Sequence, residues 1–266
     1  MENNNCDYIV KNTAKQLLDN GSLAVGMGVR QGRTADTAKV AKACGFDWLF
    51  IDMEHNSMDV DNAVQMCVAA LDTGVTPIVR VPSHHHFHAT RLLDGGAMGI
   101  IFPHIDTPDQ AREAVLNCRF PPIGNRSIPG GLPQLGFAAL PQSESCDIFN
   151  QNLLVIVMLE TEEAISNADD IAAIDGVDIL LIGSSDLAAS MHIPGDFYHP
   201  KIEAAYDNVI SACRKHKKHP GMGGIYDNKV MEKYVMKGAR FLLGGSDLSF
   251  IISAGSNRRA FLDSLL

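Results

Sequence analysis

The sequence predicts a (β/α)8 barrel that forms one domain. Eight short apolar runs alternate with amphipathic stretches, which is the pattern of repeated βα units. The chain has 266 residues, and such barrels typically use about 250. The segment VGMGVRQGR at the first run lacks the GxGxxG spacing that a doubly wound open sheet usually shows there. We therefore prefer the barrel to the open sheet and predict a single domain over residues 1–266.

The predicted strands are apolar throughout, which is typical of parallel strands that are buried on both faces. In chain order they are LAVGMGV from Leu23, DWLFIDM from Asp47, TPIVRVP from Thr76, MGIIFPH from Met98, LLVIVML from Leu153, VDILLIG from Val177, HPGMGGI from His219 and ARFLLGG from Ala239. In a barrel of this kind the active site lies at the carboxyl ends of the strands. The residues that end each run are therefore the candidates for chemistry.

The stretches between the strands carry apolar residues at helical spacing. Examples are TADTAKVAKACG, VDNAVQMCVAALDTG, TPDQAREAVLNCRF and PKIEAAYDNVISACRKHK. Several begin with Thr or Asp, which cap helix N-termini, and several end at Gly. The segment 121–150 interrupts the alternation, is rich in Pro and Gly, and has a length usual for functional or interface loops. The tail from Ser246 is predicted as the last barrel helix, broken near Gly255, with an apolar surface that packs on a neighbouring subunit.

Composition narrows the classes of partner. The formal net charge of -9 argues against nucleic-acid or anionic-membrane binding, although it does not exclude a local site for an anionic substrate. No stretch is apolar enough to span a bilayer, and the start MENNNCDYIVKN lacks the apolar segment of a secretion signal. The six cysteines are scattered without a CxxC pair and are expected to be buried or half-buried free thiols. These features predict a cytoplasmic protein.

Glu160 and Asp186 each stand where an apolar run ends, in LLVIVMLE and VDILLIGSSD. Two carboxylates at one rim of a sheet make a site for a hard divalent cation, and Mg²⁺ or Mn²⁺ fits oxygen ligands. No lysine lies between Lys42 and Lys201, and none lies in a predicted strand. Because a Schiff-base aldolase needs a lysine amine, carbonyl activation is expected to come from a metal ion instead.

Three further residues at strand ends are candidates for catalysis. Arg80 in VRVP could stabilise an enolate oxygen or clamp a carboxylate, or it could only form a structural salt bridge. His55 follows Asp52 by three residues, so a turn could let Asp52 orient the imidazole as a general base; otherwise His55 is a surface histidine. Ser184 and Ser185 stand where a short helix is expected to begin, and free backbone N–H groups there suit a substrate carboxylate.

IDMEH, VRVP, PPIGNRS, LET and GSSDLAAS, in this order and spacing, resemble the HpcH/HpaI aldolase family. Its members are metal-dependent pyruvate aldolases related to citrate-lyase-type barrels, and the resemblance covers about Leu23 to Gly245. It implies an aldolase that cleaves a 4-hydroxy-2-oxo acid to pyruvate and an aldehyde through an enolpyruvate, using Mg²⁺, Mn²⁺ or Co²⁺. It also implies a hexamer built from dimers that exchange a terminal helix.

The resemblance also implies roles for single residues. The metal ligands would be Glu160 and Asp186, and Arg80 would contact the keto oxygen. The base would be His55, paired with Asp52. Backbone groups at Gly183 and Ser185 would hold the carboxylate, and Asp94 in LLDGGA matches an aspartate near the site across a subunit contact.

The chain departs from the family pattern in places that leave the second product open. The usual GPxDL is GSSDL, with Ser184 in place of proline, and Met158 replaces a common glutamine. The alternatives are therefore an oxaloacetate decarboxylase or an enolpyruvate-adding enzyme like macrophomate synthase. A phosphosugar enzyme using GMGGIYD and FLLGGSD, or a barrel kept only for binding, is less favoured. A zinc site at the HHHFH sequence from His84 is a further minor possibility.

Overall fold

The computed structural model describes residues 9–266 and shows a closed parallel barrel of eight strands, which confirms the predicted fold. The strands are β1 (Ala24–Val29), β2 (Trp48–Asp52), β3 (Thr76–Arg80), β4 (Gly99–Phe102), β5 (Leu154–Leu159), β6 (Ile179–Gly183), β7 (His219–Gly223) and β8 (Phe241–Ser246). Each strand pairs with the next in the chain, and β8 pairs with β1 to close the barrel. Each predicted strand coincides with one observed strand, although β8 extends one residue beyond its predicted run, to Ser246.

The helices surround the barrel and largely follow the predicted periodicity. They are α1 (Thr13–Asp19), α2 (Asp36–Ala43), α3 (Val60–Thr73), α4 (His86–Asp94), α5 (Pro108–Cys118), α6 (Gln142–Asn152), α7 (Glu162–Ser166), α8 (Ala168–Ala172), α9 (Ser184–Ser190), α10 (Pro200–His216), α11 (Asn228–Lys237) and α12 (Asp247–Asp263). The N-caps follow the expected chemistry, since Asp59 and Thr107 accept N–H groups of the first turn. Gly74 ends α3 in the left-handed conformation.

Strand alternation decides which side chains enter the barrel. Trp48, Phe50 and Asp52 share one face of β2, and Trp48 is fully buried in the interior, stacked on Phe241 with ring centroids 4.1 Å apart. A Cβ at Gly26 would lie 2.2 Å from the Trp48 ring, so only glycine fits there. Apolar side chains thus fill the lower barrel, and the inward residues of the carboxyl rim are left for chemistry.

The helix α1 closes the amino end of the barrel and was not anticipated by the sequence. Its Ala14 and Leu18 are buried with the barrel-interior residues. The amide of Asn12, which caps the helix, donates to the carbonyl of Met98 at 3.0 Å. Its 7 residues make only about two turns, which is too short to show a clear period and explains why the pattern was missed.

The connection 121–150 is partly helical. It contains a 3-10 turn (Pro133–Leu135) and most of α6, and it lies between α5 and β5 at the amino end of the barrel. Arg126 fixes its first part, because the guanidinium lies between the rings of Phe120 and Phe149, at 4.4 and 4.3 Å. This loop is therefore tied to the barrel and does not line the cavity described below.

The terminal helix α12 is continuous, so the predicted break near Gly255 is wrong. A glycine in an exposed helix interior weakens the helix by about 1 kcal/mol without ending it. No residue of α12 is buried, and Phe250, Ile251, Ile252, Phe261 and Leu262 are all exposed. The helix therefore presents an apolar surface that the rest of the described chain does not cover.

The cysteines in residues 9–266 are free. Four are buried, whereas Cys44 is exposed, which differs from the expected burial. Cys6 lies outside the described residues. In this part of the chain no helix has the length and apolar character needed to cross a membrane.

Candidate active site

A cavity of about 390 Å³ opens at the carboxyl end of the barrel. All but one of the predicted site residues line it. They are Asp52, His55, Arg80, Glu160, Gly183, Ser184, Ser185 and Asp186. They come from strands β2, β3, β5 and β6 and the turns that follow, so residues more than 130 positions apart meet at one rim. The exception is Asp94.

Arg80 is buried and holds two carboxylates. Register places it opposite Asp52, and Nε and Nη2 donate to Asp52 Oδ1 and Oδ2 at 3.0 and 2.8 Å. Its Nη1 lies 2.9 Å from Glu54 Oε2 in an ion pair. Burial raises the pKa of Asp52, but the hydrogen bonds and charge of Arg80 outweigh it, and the pKa lies below its usual value. The guanidinium is thereby fixed in orientation at the cavity wall.

His55 is placed differently from the expectation that Asp52 orients its imidazole. Asp52 Oδ1 instead accepts the backbone N–H groups of Glu54 and His55, at 3.0 and 3.3 Å. The imidazole Nε2 lies 3.8 Å from Glu54 Oε2, and the ring is exposed at the cavity. Asp52 therefore shapes the turn that carries His55, and Glu54 is the carboxylate beside the ring.

Glu160 is buried, and one of its oxygens is held by His104. Oε2 accepts the backbone N–H of His104 at 2.9 Å and lies 3.2 Å from the ring Nδ1. The other ring nitrogen lies 3.1 Å from Glu54 Oε1. His104 therefore connects the turn that carries Glu54 and His55 to Glu160, the proposed metal ligand. Its φ of 52° is unusual for a non-glycine residue and allows both contacts with Glu160. Burial raises the pKa of Glu160, although the His104 N–H and charge oppose it.

The donor set fits a hard divalent cation. Glu160 Oε1 stands beside Gly183, and no side chain of the described residues forms a hydrogen bond or ion pair with the Asp186 carboxylate at the same cavity. Within residues 9–266 no group of three or more His, Cys, Asp or Glu is arranged to hold a metal. Mg²⁺ is commonly held by one or two carboxylates together with substrate and water oxygens, so two carboxylates suffice.

The Glu160 side chain leaves too little space for a Cβ at Gly183. A Cβ at this position would lie 2.5 Å from Glu160 Oε1 and 2.6 Å from its Cγ. We expect Gly183→Ala to fold, because φ of -85° suits alanine, but to displace the carboxylate. Overpacking of this kind costs about 1–3 kcal/mol, and a comparable loss of binding free energy would lower the Mn²⁺ affinity measured by calorimetry about five- to 150-fold.

Gly223→Ala is the matched control for that substitution. A Cβ there would lie 3.7 Å from its nearest neighbour, in ordinary contact. Its Mn²⁺ affinity should stay within about twofold of the wild type. Equal affinities for the two variants would show that Glu160 does not bind the ion.

The side chain of Ser184 does not face the cavity with a free hydroxyl, and the sequence predicts a role only for the backbone here. Its hydroxyl is buried and lies 2.7 Å from the hydroxyl of Tyr206, so only backbone groups of Ser184 are available to a ligand. The pairing also gives the serine that replaces the family's proline a structural role. Ser185 is exposed at the cavity, and α9 begins at Ser184 as predicted.

Asp94 does not reach the cavity of its own chain. It ends α4, whose last residues lead into the amino end of β4, and its Oδ1 lies 2.5 Å from Arg126 Nη2. Any contact of Asp94 with substrate requires a second subunit, as the family resemblance implies. The assignment therefore stays a prediction.

Four residues at the site received no role from the sequence: Glu54, His104, Arg30 and Tyr226. Glu54 and His104 stand at the ends of strands 2 and 4, where every polar residue is a candidate, so position was an available signal. Arg30 and Tyr226 line the cavity from the loops after β1 and β7. Side chains on such loops follow no periodicity that would have indicated them.

The remaining sequence features lie in two places: GMGGIYD lines the cavity through Gly223, Gly224 and Tyr226, whereas the histidines of HHHFH do not line it. His84 Nε2 lies 2.5 Å from the carbonyl of Pro103, and α4 begins at His86. At the end of β8, the carboxylate of Asp247 accepts the N–H groups of residues 30–32. A carboxylate in that place opposes phosphate binding, so the phosphosugar alternative is disfavoured there.

Comparison with known protein families gives a match that spans most of the chain. The model of the family described as HpcH/HpaI aldolase/citrate lyase matches residues 26–254. A 4-hydroxy-4-methyl-2-oxoglutarate aldolase of Hapsidospora irregularis is 39% identical over 247 residues, which cover 91% of this chain and 91% of the relative.

Solved structures agree with this match. An HpcH/HpaI aldolase from Desulfitobacterium hafniense superposes with a TM-score of 0.88 at 27% identity, covering 93% of this chain and 95% of that one. Macrophomate synthase gives a TM-score of 0.80 at 24% identity, covering 97% and 91%. The second likeness concerns the fold alone.

Proposed function

The chain belongs to the HpcH/HpaI aldolase/citrate lyase family and is a carbon–carbon lyase of the aldolase class, and we propose that it cleaves a 4-hydroxy-2-oxo acid to pyruvate and a second carbonyl compound. One observation carries the proposal: a single cavity at the carboxyl rim brings together Glu160, Asp186, Arg80 and His55. The named relative makes 4-hydroxy-4-methyl-2-oxoglutarate the first substrate to test.

Aldolases of this family generally depend on a divalent metal, and we propose Glu160 and Asp186 as its ligands, with Mg²⁺, Mn²⁺ or Co²⁺ as the ion. When bound, the ion would polarise the substrate's keto group as a Lewis acid. Glu160 is prepared for this role because His104 holds Oε2 and leaves Oε1 beside Gly183. Backbone N–H groups at Gly183 to Ser185 would hold the substrate carboxylate.

Arg80 would stabilise developing charge, and His55 would transfer the proton. Arg80, fixed by Asp52 and Glu54, would donate to the keto oxygen as negative charge develops on it. His55 would take the C4 hydroxyl proton while the C3–C4 bond breaks, and Glu54 beside the ring would stabilise the imidazolium. The electron pair of that bond becomes the enolate of pyruvate, and return of the proton from the imidazolium to C3 completes the reaction and regenerates the neutral base.

Decarboxylation of oxaloacetate would give the same enolate, so this activity stays an alternative within one site. Enolpyruvate addition to another acceptor is a further alternative, since Ser184 and Met158 differ from the family pattern. Neither has a specific observation in its favour.

The test is pyruvate release from 4-hydroxy-4-methyl-2-oxoglutarate and from oxaloacetate, before and after EDTA. Activity that disappears with EDTA and returns with Mg²⁺ or Mn²⁺ supports the proposal. Cleavage that EDTA leaves unchanged rejects the role of the ion, and release from oxaloacetate alone selects the decarboxylase.

We further propose that the chain is a homo-oligomer in which α12 packs on a second copy. The support is its uncovered apolar surface together with the resemblance, which implies a hexamer as a trimer of dimers. We expect light scattering to show an oligomer for the wild type and smaller species for Ile252→Asp/Leu262→Asp, because two buried charges disfavour an interface.

The control for this experiment is Met236→Asp on α11, a residue that is 81% exposed. It should leave the assembly intact, since it lies outside α12. A monomeric wild type would contradict the oligomer proposal. So would a Met236→Asp variant that dissociates as much as Ile252→Asp/Leu262→Asp.

A small 2-oxo acid is the proposed partner, and nucleic acid is not expected, given the net charge of -9. No membrane association is expected. We also propose one domain over residues 1–266 and a cytoplasmic location.

A further inference from the structure

Arg30 places a second cationic side chain at the cavity. It follows β1 directly, lines the cavity and is exposed. Its Nη2 donates to the backbone carbonyl of His55 at 3.2 Å. Within residues 9–266 no carboxylate forms an ion pair with its guanidinium.

The backbone around Arg30 is held firmly. The carboxylate of Asp247 accepts the N–H groups of Arg30, Gln31 and Gly32 at 2.8, 2.9 and 2.7 Å. Burial raises the pKa of Asp247, but these bonds outweigh it, and the pKa lies below its usual value. Because Asp247 is occupied by backbone donors, it fixes the loop, and the guanidinium remains available to a ligand.

The two cations at the cavity differ in what they can still bind. Arg80 is paired with Asp52 and Glu54, so much of its charge is compensated. Among the described residues that line the cavity, Arg30 is therefore the cation without an acidic partner. An uncompensated arginine at a cavity wall favours a carboxylate ligand.

The order of groups along the substrate indicates which carboxylate that is. The C1 carboxylate and C2 keto group belong beside Glu160 and Asp186, and the C4 hydroxyl belongs at His55. The substituents of C4 lie one bond farther on. Arg30 contacts the backbone of His55, so its guanidinium is placed on that side of the cavity.

We propose that Arg30 binds a carboxylate attached to C4 and thereby makes 4-hydroxy-2-oxo diacids the preferred substrates. This assignment rests on the proposed aldolase function. When the C3–C4 bond breaks, its electron pair goes to C3, the C4 hydroxyl proton goes to the base, and C4 becomes a carbonyl beside the second carboxylate. The products are pyruvate and another 2-oxo acid.

The experiment compares two substrates that differ only in this group. 4-Hydroxy-4-methyl-2-oxoglutarate carries the carboxylate, and 4-hydroxy-4-methyl-2-oxopentanoate carries a methyl group in its place. We expect Arg30→Gln to lower kcat/KM for the diacid about ten- to hundredfold, mainly through KM, and for the methyl compound less than about threefold. Arg30→Lys should restore part of the loss because it keeps the charge.

Arg33→Gln is the control, because it removes a positive charge from the same loop but Arg33 does not line the cavity. It should leave the ratio of the two kcat/KM values unchanged. The assignment is overturned if Arg30→Gln affects both substrates equally or neither, or if Arg33→Gln shifts the ratio as much. A wild type that releases pyruvate from neither compound rejects the aldolase function, and the assignment with it.

Discussion

Glu160→Gln is expected to abolish lyase activity while leaving the fold at least as stable. The amide keeps the size of the side chain and can still accept the His104 N–H, but it removes the negative charge that the proposed ion needs. Loss of a Lewis acid costs several kcal/mol of transition-state stabilisation, so kcat/KM should fall on the order of 10³-fold or more. Mn²⁺ affinity should fall with it.

We also predict the direction in which the stability of Glu160→Gln differs from that of the wild type. Burial raises the pKa of Glu160 in the folded protein, so at neutral pH the ionised carboxylate destabilises the metal-free fold. The protonated carboxyl carries no such penalty, so the stability that it contributes is fully present below the unfolded pKa. This stability is lost as pH rises through the folded pKa. A neutral glutamine removes the penalty, so the metal-free Tm at pH 7 should be equal or higher.

Glu163→Gln serves as the control for Glu160→Gln. It removes one negative charge from an exposed position on α7, close by in the sequence. It should keep activity and Mn²⁺ affinity within about twofold. A Glu160→Gln variant that retains full activity, or that loses activity only because it unfolds, would contradict the assignment.

Arg80→Lys is expected to have the second largest effect. Lysine keeps the charge but lacks the planar fork that binds both oxygens of Asp52 and reaches Glu54. A misplaced donor at the keto oxygen should lower kcat about 10²- to 10³-fold. Because at least one of these buried contacts with a carboxylate is lost, the unfolding free energy should also fall by about 1–3 kcal/mol.

The measurement is kcat and KM at saturating Mg²⁺, together with denaturant unfolding. Arg91→Lys on α4, an exposed arginine, is the control and should change neither quantity. If Arg80→Lys lowers stability but leaves kcat intact, Arg80 is only structural, which was the alternative raised from the sequence.

The positions of the site residues could be predicted because each residue lies at the carboxyl end of a strand or just after it. Apolar runs buried on both faces indicated the parallel barrel, and the residues that end those runs, Glu160 and Arg80 among them, had to meet at one rim. Period-2 alternation then places Asp52 and Arg80 on the inward face in register. The family resemblance assigned roles to the same positions.

The contacts between those residues could not be predicted, because they depend on backbone turns. His55 follows a turn whose N–H groups bind Asp52, which takes the carboxylate away from the imidazole. His104 reaches Glu160 only through a left-handed φ that no periodicity indicates. The hydroxyl of Ser184 turns to Tyr206, a residue 22 positions away.

Two other differences have simpler causes. Gly255 suggested a break in α12, but a single exposed glycine weakens a helix less than its neighbours stabilise it. Asp94 lies at the opposite end of its own barrel, so its proposed contact with substrate depends on a second chain that one sequence does not position.

The central claim is that Glu160 and Asp186 together hold a divalent ion that binds a 2-oxo acid. A crystal structure with Mn²⁺ and oxalate, an analogue of enolpyruvate, tests it most directly through the anomalous signal of manganese. We expect one Mn²⁺ in the cavity, at about 2.1 Å from an oxygen of each carboxylate and from two oxalate oxygens. Oxalate bound in the cavity without Mn²⁺, or Mn²⁺ bound elsewhere, would contradict it.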